Sequence, residues 1–164
     1  MYRPTVITRM SKNKITIDQL RLACRHVGEM QKQGVTENLA IRTLELFANI
    51  YAKLSMGGRP SPDHVSHYTL WSREARRLKK KKSNGKPKDM FRVEHGTPRR
   101  AFARMVLDLY NKDRLNEKAM LKIVEDHWRV AVVTLKEDQR LNKIARSTVF
   151  PTPEERWAKA GIRF

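Results

Sequence analysis

Hydrophobic residues recur every three or four positions along much of this chain, which is the spacing of amphipathic helices. This pattern predicts one helix over about residues 16–34 and a second over about residues 36–55. The second apolar stripe is broad, so we expect that helix to be well buried. A third helix is predicted over about residues 64–82, and the helical spacing of Tyr68 and Trp71 favours packing in the core over stacking on bases.

Two short runs, residues 90–94 and residues 129–134, instead have the composition of β-strands. A continuous apolar stretch from 130 to 133 marks the second strand as buried. Each run leads into a helix, and Thr97 is the predicted cap of the helix that Pro98 opens. Further helices are predicted over about residues 116–126, 135–145 and 152–161. These elements predict a predominantly α-helical α+β fold, with six or seven helices and a small two-stranded antiparallel sheet.

The chain has 164 residues, which is enough to bury a core without disulfide bonds. The basic loop at residues 83–88 is the best candidate boundary. It divides a helical N-terminal region, residues 1–88, from a region carrying the candidate site, residues 89–164. We expect the two regions to form one compact domain.

The charge of the chain indicates its partner. Lys and Arg number 35 against 17 Asp and Glu, a formal net charge of +18 that is spread over the whole length. Such an excess favours nucleic acid, DNA or RNA, over a membrane surface. The lone Cys24 excludes an intrachain disulfide and a cysteine-based zinc site. With no apolar run of transmembrane length, we expect an intracellular, cytoplasmic protein that is nucleoid-associated if DNA is its substrate.

Basic residues are densest at the end of the third predicted helix and in the loop after it. Such residues bind the phosphate backbone and position a protein without reading sequence. The predicted phosphate-binding residues here are Arg73, Arg76, Arg77, Lys79, Lys80, Lys81, Lys82, Lys86 and Lys88.

Acidic and histidine side chains follow both predicted strands. Glu94 and His95 end the first strand, and Glu137 and Asp138 begin the helix after the second. If the strands pair, we expect these four side chains to meet at one end of the sheet. A carboxylate beside a histidine and opposite a second carboxylate suits a metal ion with an adjacent general base.

The stretch from Glu94 to Pro98 (EHGTP) resembles the first strand of the ββα-metal nucleases, the broad group that includes the HNH enzymes. Many of these enzymes carry an acid–histidine pair followed by x-x-Pro. Residues 132–141 are similar to the second family element, a strand entering a helix whose first turn carries the last metal ligand. The resemblance implies a metal-dependent nuclease with His95 as general base. Glu94 and Asp138 would hold Mg²⁺ or Mn²⁺, since these ions accept carboxylate oxygens.

Several features depart from the family pattern. Arg129 stands roughly where the family has an asparagine that orients the histidine, and Asp138 stands where the last ligand is commonly histidine. Two predicted helices separate the strands, where many relatives have a short loop. Glu137, next to Asp138, is predicted as a reserve metal ligand. The cations expected to hold the scissile phosphate are Arg99, Arg100 and Arg140.

Each candidate also has a structural explanation. Thr134 and Glu137 have the spacing of a capping box, which closes a helix without binding metal. Asp138 in a first helical turn is favourable on electrostatic grounds alone. His95 is equally explained as a hydrogen-bonded histidine at a strand end. A second possible ligand group, Asp63, His64 and His67, is better explained by a helix start that Asp63 caps.

Two functions without catalysis explain the charge equally well. One is a DNA- or RNA-binding module, and the other is a structural RNA-binding protein of a ribonucleoprotein. The nuclease hypothesis predicts that Glu94, His95 and Asp138 cluster in a cleft, whereas a binding module would scatter them. A homodimer would suit cleavage of both strands of a duplex.

Overall fold

The computed structural model describes residues 15–55, 65–66, 68–81 and 85–164. Within these ranges the chain is mostly helical with one small antiparallel sheet, so the predicted fold class is confirmed. A one-turn helix, α4, had no counterpart in the sequence pattern. The elements in chain order are α1 (Ile17–Lys32), α2 (Glu37–Ser55), α3 (Arg73–Lys80), α4 (Pro87–Met90), β1 (Phe91–His95), α5 (Arg99–Asn111), α6 (Glu117–His127), β2 (Val130–Thr134), α7 (Leu135–Ala145) and α8 (Pro153–Lys159).

Helices α1, α2, α5 and α6 form a bundle around one hydrophobic core cluster. Trp128 joins this core, and its ring lies 4.0 Å from that of Phe102, measured between centroids. Gly28 lets α1 approach α5, since a Cβ atom there would lie 2.4 Å from the ring of Tyr110. Because α1 and α2 precede residue 88 and α5 and α6 follow it, the bundle draws on both regions of the chain.

Strands β1 and β2 pair in antiparallel register. Phe91 lies opposite Thr134, and His95 lies opposite Val130. All five residues of β2 are buried, as its continuous apolar composition predicts. The end of β1 therefore adjoins the start of β2, and the two strand ends that carry acidic residues in the sequence lie at opposite ends of the sheet.

The prediction of the third helix is wrong over its first half. Residues 65–66 form a short 3₁₀ turn, and the chain from Leu70 to Ser72 runs extended along the free edge of β2. There the N–H group of Val132 donates to the carbonyl oxygen of Leu70, and the N–H group of Ser72 donates to that of Val132, both at 2.9 Å. Helix α3 begins only at Arg73, because the Ser72 hydroxyl caps it.

The sheet separates two further core clusters. On one face Val130 and Val132 pack with Trp71, which is buried as predicted. On the other face Ala131 and Val133 pack against α7 and α8, around Trp157. Burial on both faces holds the short sheet rigidly between the helices and fixes the position of the residues at its ends.

Candidate active site

A cleft of about 480 Å³ opens where β1 ends. Four of the predicted site residues line it together: Glu94, His95, Arg99 and Arg100. The rest of its wall comes mainly from α2, α8 and the end of α7. The side chains contributed there include Glu45, Asn49, Asn142, Arg146, Ser147 and Arg156.

Asn49 of α2 orients the imidazole of His95. The Nε2 atom of His95 lies 3.1 Å from Oδ1 of Asn49. An amide oxygen only accepts hydrogen bonds, so Nε2 carries the hydrogen and Nδ1 is the basic nitrogen of the neutral ring. This asparagine contacts the histidine from a helix that lies far away in the chain. The signal for it was weak: Glu45 and Asn49 are polar residues one turn apart on a largely apolar helix.

Glu94 points to the opposite face of the sheet from His95, because successive residues of a strand alternate. There the Nη1 atom of Arg156 donates to Oε1 of Glu94 at 2.7 Å. The same guanidinium donates to the carbonyl oxygens of His95 at 2.9 Å and Ala145 at 3.0 Å. The Arg156 side chain is only 4% exposed, so this is a buried ion pair with additional main-chain acceptors.

Helix α7 packs across the sheet and carries Asp138 to the same carboxyl group. There the side chain of Asp138 hydrogen-bonds to that of Glu94. Two carboxyl groups hydrogen-bond only when one of them holds a proton. Burial raises the pKa of Glu94 to about 7, against the lowering effect of Arg156. Burial also raises the pKa of Asp138, although the positive charge of Arg92 opposes that shift. The pair therefore shares a proton under mildly acidic conditions.

Glu137 lies at the other end of the sheet and serves as a helix cap. Its Oε2 atom accepts hydrogen bonds from the Thr134 N–H group at 2.8 Å, the Thr134 hydroxyl at 3.1 Å and the Ser72 hydroxyl at 2.7 Å. The carboxylate thus closes a capping box on α7 and also bonds to the residue that caps α3. It is 1% exposed and does not line the cleft, so the expected meeting of all four side chains does not occur.

Two of the predicted metal ligands, Glu94 and Asp138, lie together, whereas Glu137 lies elsewhere. Among the described residues, no three His, Cys, Asp or Glu side chains lie close enough to share one. The Glu94 carboxylate already faces the positive charge of Arg156 and shares a hydrogen bond with Asp138. The dependence on Mg²⁺ or Mn²⁺ stays a prediction from the resemblance.

Arg99 and Arg100 are exposed at the start of α5, beside the cleft. The predicted cap of this helix is wrong: Thr97 is buried outside it, and Pro98 is the N-cap without any side-chain hydrogen bond. The positive end of the α5 dipole is therefore not offset by a side-chain acceptor or by an acidic residue in the first turn. Together with Arg146 these features favour an anion in the cleft.

Arg140 has a different role from the phosphate contact predicted for it. Its guanidinium donates to the carbonyl oxygens of Ala160 and Gly161, just after α8. Basic side chains commonly satisfy the last carbonyl groups of a helix in this way. Arg140 is not among the residues lining the cleft.

The basic residues of α3 lie away from the cleft, since this helix starts beside Glu137. Arg76, Arg77, Lys80 and Lys81 are exposed, and so are Lys86 and Lys88 near α4. Lys79 lies over the ring of Trp71, 4.4 Å from its centroid, and Arg73 donates to the main-chain oxygen of Phe164 at 3.0 Å. Lys82 and the possible ligand group Asp63, His64 and His67 lie outside the described residues.

No protein-family model matches this chain, and neither a curated protein nor a solved structure matches it significantly. The resemblance to ββα-metal nucleases therefore rests on residues 94–98 and 132–141 alone. In the part of the chain that the structure describes, no helix is both long enough and apolar enough to cross a membrane.

Proposed function

We propose that this protein cleaves phosphodiester bonds of a nucleic acid in the cleft at the end of β1. The observation that carries the proposal is the Asn49-oriented imidazole of His95, which shares a cleft with Arg99 and Arg100. An oriented imidazole is a general base, and paired guanidinium groups bind a phosphate and stabilise the charge that develops on it.

In this proposal the Nδ1 atom of His95 takes a proton from the attacking oxygen. Asn49 keeps the ring in the required tautomer, because it accepts the hydrogen of Nε2. Arg99 and Arg100 bind the non-bridging phosphate oxygens. The attacking oxygen then forms a bond to phosphorus as the bond to the leaving oxygen breaks, and the leaving oxygen takes up a proton.

The charge of the chain supports a polymeric anion as substrate over a small phosphate ester. The formal net charge is +18, and the exposed cations of α3 lie outside the cleft that would hold the scissile group. A polymer reaches both surfaces at once, whereas a single phosphate occupies only the cleft.

A non-catalytic DNA- or RNA-binding module is the second candidate. Two contacts favour it: Glu94 forms an ion pair with Arg156, and Glu137 forms helix caps. Neither carboxylate is then available for chemistry. The exposed cations of α3 would bind a phosphate backbone without any contribution from the cleft.

Cleavage of plasmid DNA and total RNA distinguishes the two candidates. We expect the parent protein to cut at least one substrate, and His95→Ala to bind it without cutting. His26→Ala is the matched control, since His26 is exposed on α1. His95→Gln, together with thermal melting, separates a loss of chemistry from a loss of fold. Binding without cleavage by the parent, with and without Mg²⁺ or Mn²⁺, would support the binding module.

A further inference from the structure

We infer that the substrate of this cleft is RNA, and that its 2′-hydroxyl group is the nucleophile in a cleavage that needs no divalent metal. This inference rests on the proposed function and names its substrate. Two observations support it: the acidic residue Glu94 is paired within the protein, and several arginine side chains face the cleft.

Among the described residues, the carboxylate of Glu94 near the cleft is paired in a buried contact. Glu94 is held by Arg156 at 2.7 Å and hydrogen-bonded to Asp138. Glu45 is the other acidic residue among the described residues that line the cleft, and its carboxylate forms a surface ion pair at 3.2 Å with Nη1 of the exposed Arg42. A divalent ion needs several oxygen ligands, and recruiting Glu94 would leave the guanidinium of Arg156 buried without its partner.

Guanidinium groups dominate the charge that faces the cleft. Arg99, Arg100 and Arg146 line it in addition to the paired Arg156. Arginine binds phosphate through two parallel hydrogen bonds and supplies the positive charge that a metal ion would otherwise bring to the transition state. The described lining of the cleft therefore supplies both a base and phosphate-binding cations from the protein itself.

A nucleophile within the substrate removes the need for metal-activated water. In RNA the 2′-hydroxyl group lies next to the phosphorus atom, and such proximity replaces a bimolecular attack by an intramolecular one. DNA has no such hydroxyl group. The donor set of this cleft thus suits RNA and does not suit DNA.

The proposed step is balanced within the substrate and His95. The Nδ1 atom takes the 2′-hydroxyl proton while O2′ forms a bond to phosphorus. The bond from phosphorus to O5′ breaks, and O5′ leaves with its electron pair. The proton returns from the imidazolium to O5′, directly or by exchange with solvent. The products are a 2′,3′-cyclic phosphate and a free 5′-hydroxyl group.

The test is cleavage of a synthetic oligoribonucleotide in EDTA and in Mg²⁺, using the full-length protein. We expect the cleavage rates in EDTA and in Mg²⁺ to agree within about two-fold, and the products to carry 2′,3′-cyclic phosphate ends. A 2′-deoxy nucleotide at the scissile position should lower the cleavage rate at least about 100-fold. Arg99→Ala combined with Arg100→Ala should slow cleavage, while Arg25→Ala, an exposed change on α1, should leave it unaltered.

Calorimetric titration with Mn²⁺ gives a readout that is independent of activity. We expect Glu94→Gln to leave any Mn²⁺ binding unchanged. Cleavage only with a divalent ion, cutting of DNA at a similar rate, or Mn²⁺ binding that Glu94→Gln abolishes would overturn this inference while leaving phosphodiester cleavage intact. Failure to cut any nucleic acid under any of these conditions would overturn the proposed function itself.

Discussion

Arg156 is the residue on which the polar contacts beneath the cleft converge. It ties α8 to the end of β1 through Glu94 and the carbonyl oxygen of His95, and it also reaches the carbonyl oxygen of Ala145 at the end of α7. Three elements that meet at the cleft are therefore held by one side chain. A buried charge in this position stabilises the arrangement only while its partners remain in place.

Replacing Arg156 by methionine should lower the free energy of unfolding by about 3–5 kcal/mol, because it leaves Glu94 and several carbonyl groups buried without their donor. Urea-induced unfolding measures this change. Arg129→Ala is the control: Arg129 and Glu154 form an exposed pair at 3.4 Å, and losing it should cost less than about 1 kcal/mol. Equal effects of the two substitutions would contradict the role assigned to Arg156.

Glu94 predicts a pH dependence of stability with a definite sign. Its pKa rises from 4.5 to about 7 on folding, chiefly through burial, so the folded state holds the proton more strongly than the unfolded chain. The contribution of Glu94 to stability is therefore greatest below about pH 4.5, declines as the pH rises to about 7, and is constant above that.

Urea-induced unfolding at several pH values between 5 and 8 tests this prediction. Relative to Glu94→Gln, which does not titrate, the parent protein should lose stability as the pH rises through this range. Glu125→Gln, an exposed change on α6, should follow the parent. A difference between the parent and Glu94→Gln that does not vary with pH would rule out the raised pKa.

At the scale of elements, Glu137 couples the starts of two helices. Its carboxylate accepts hydrogen bonds from Thr134 at the start of α7 and from Ser72 at the start of α3. Residues 70–72 also pair with β2, so α3 is attached to the sheet through both main-chain and side-chain hydrogen bonds. The cap thus fixes the direction in which α3 leaves the sheet.

Replacing Glu137 by alanine should destabilise the protein by about 3 kcal/mol, because it removes a cap and leaves buried donors of Thr134 and Ser72 without an acceptor. Glu137→Gln should cost less, since the amide oxygen still accepts. Thermal or urea melting measures both. Glu155→Ala is the matched control, because Glu155 forms a similar but exposed contact with Thr152 and should cost at most about 1 kcal/mol. A loss for Glu137→Ala no larger than for Glu155→Ala would refute this role.

Local signals in the sequence were sufficient for most elements of the fold. The spacing of apolar residues at every three or four positions predicts the helices of the bundle, and the continuous apolar run predicts the buried strand β2. The spacing of Thr134 and Glu137 predicts the cap that the structure contains. Residues 70–72 were missed because a three-residue extended segment is too short to show strand periodicity.

The candidate site could be predicted only in part. Glu94 and His95 share a local motif and lie in one cleft with Arg99 and Arg100. Asn49 and Arg156 were missed because their partners lie far away in the chain, and the pairing of distant polar residues leaves no periodic trace in one sequence.

At the scale of the whole molecule, two basic surfaces are separated by the length of the sheet. The cleft lies where β1 ends, and α3 starts near Glu137 beyond the end of β2. A strand of five residues spans roughly 15 Å, which is more than one Debye length at physiological salt. Each surface should therefore contribute to binding almost independently.

Replacing Arg76 and Lys80 by alanine should weaken nucleic-acid binding and reduce the slope of log affinity against log salt by about 1–2, without changing the rate of cleavage at saturation. Both residues are exposed on α3. Fluorescence anisotropy at several KCl concentrations measures the slope. Lys118→Ala, an exposed change on α6, should leave it unaltered. Binding by the parent that does not depend on salt would exclude a phosphate backbone as the ligand.

The connection between β1 and β2 has a consequence for folding kinetics. The strands are neighbours in the sheet, but α5 and α6 lie between them in the chain. Pairing the strands before these helices dock requires closing a long loop, which is entropically costly. In the native fold α5 and α6 pack on α1 and α2, so we expect these helices to form and dock first and thereby to bring the strand ends together. The bundle should therefore limit the folding rate, and substitutions at the cleft should mainly accelerate unfolding.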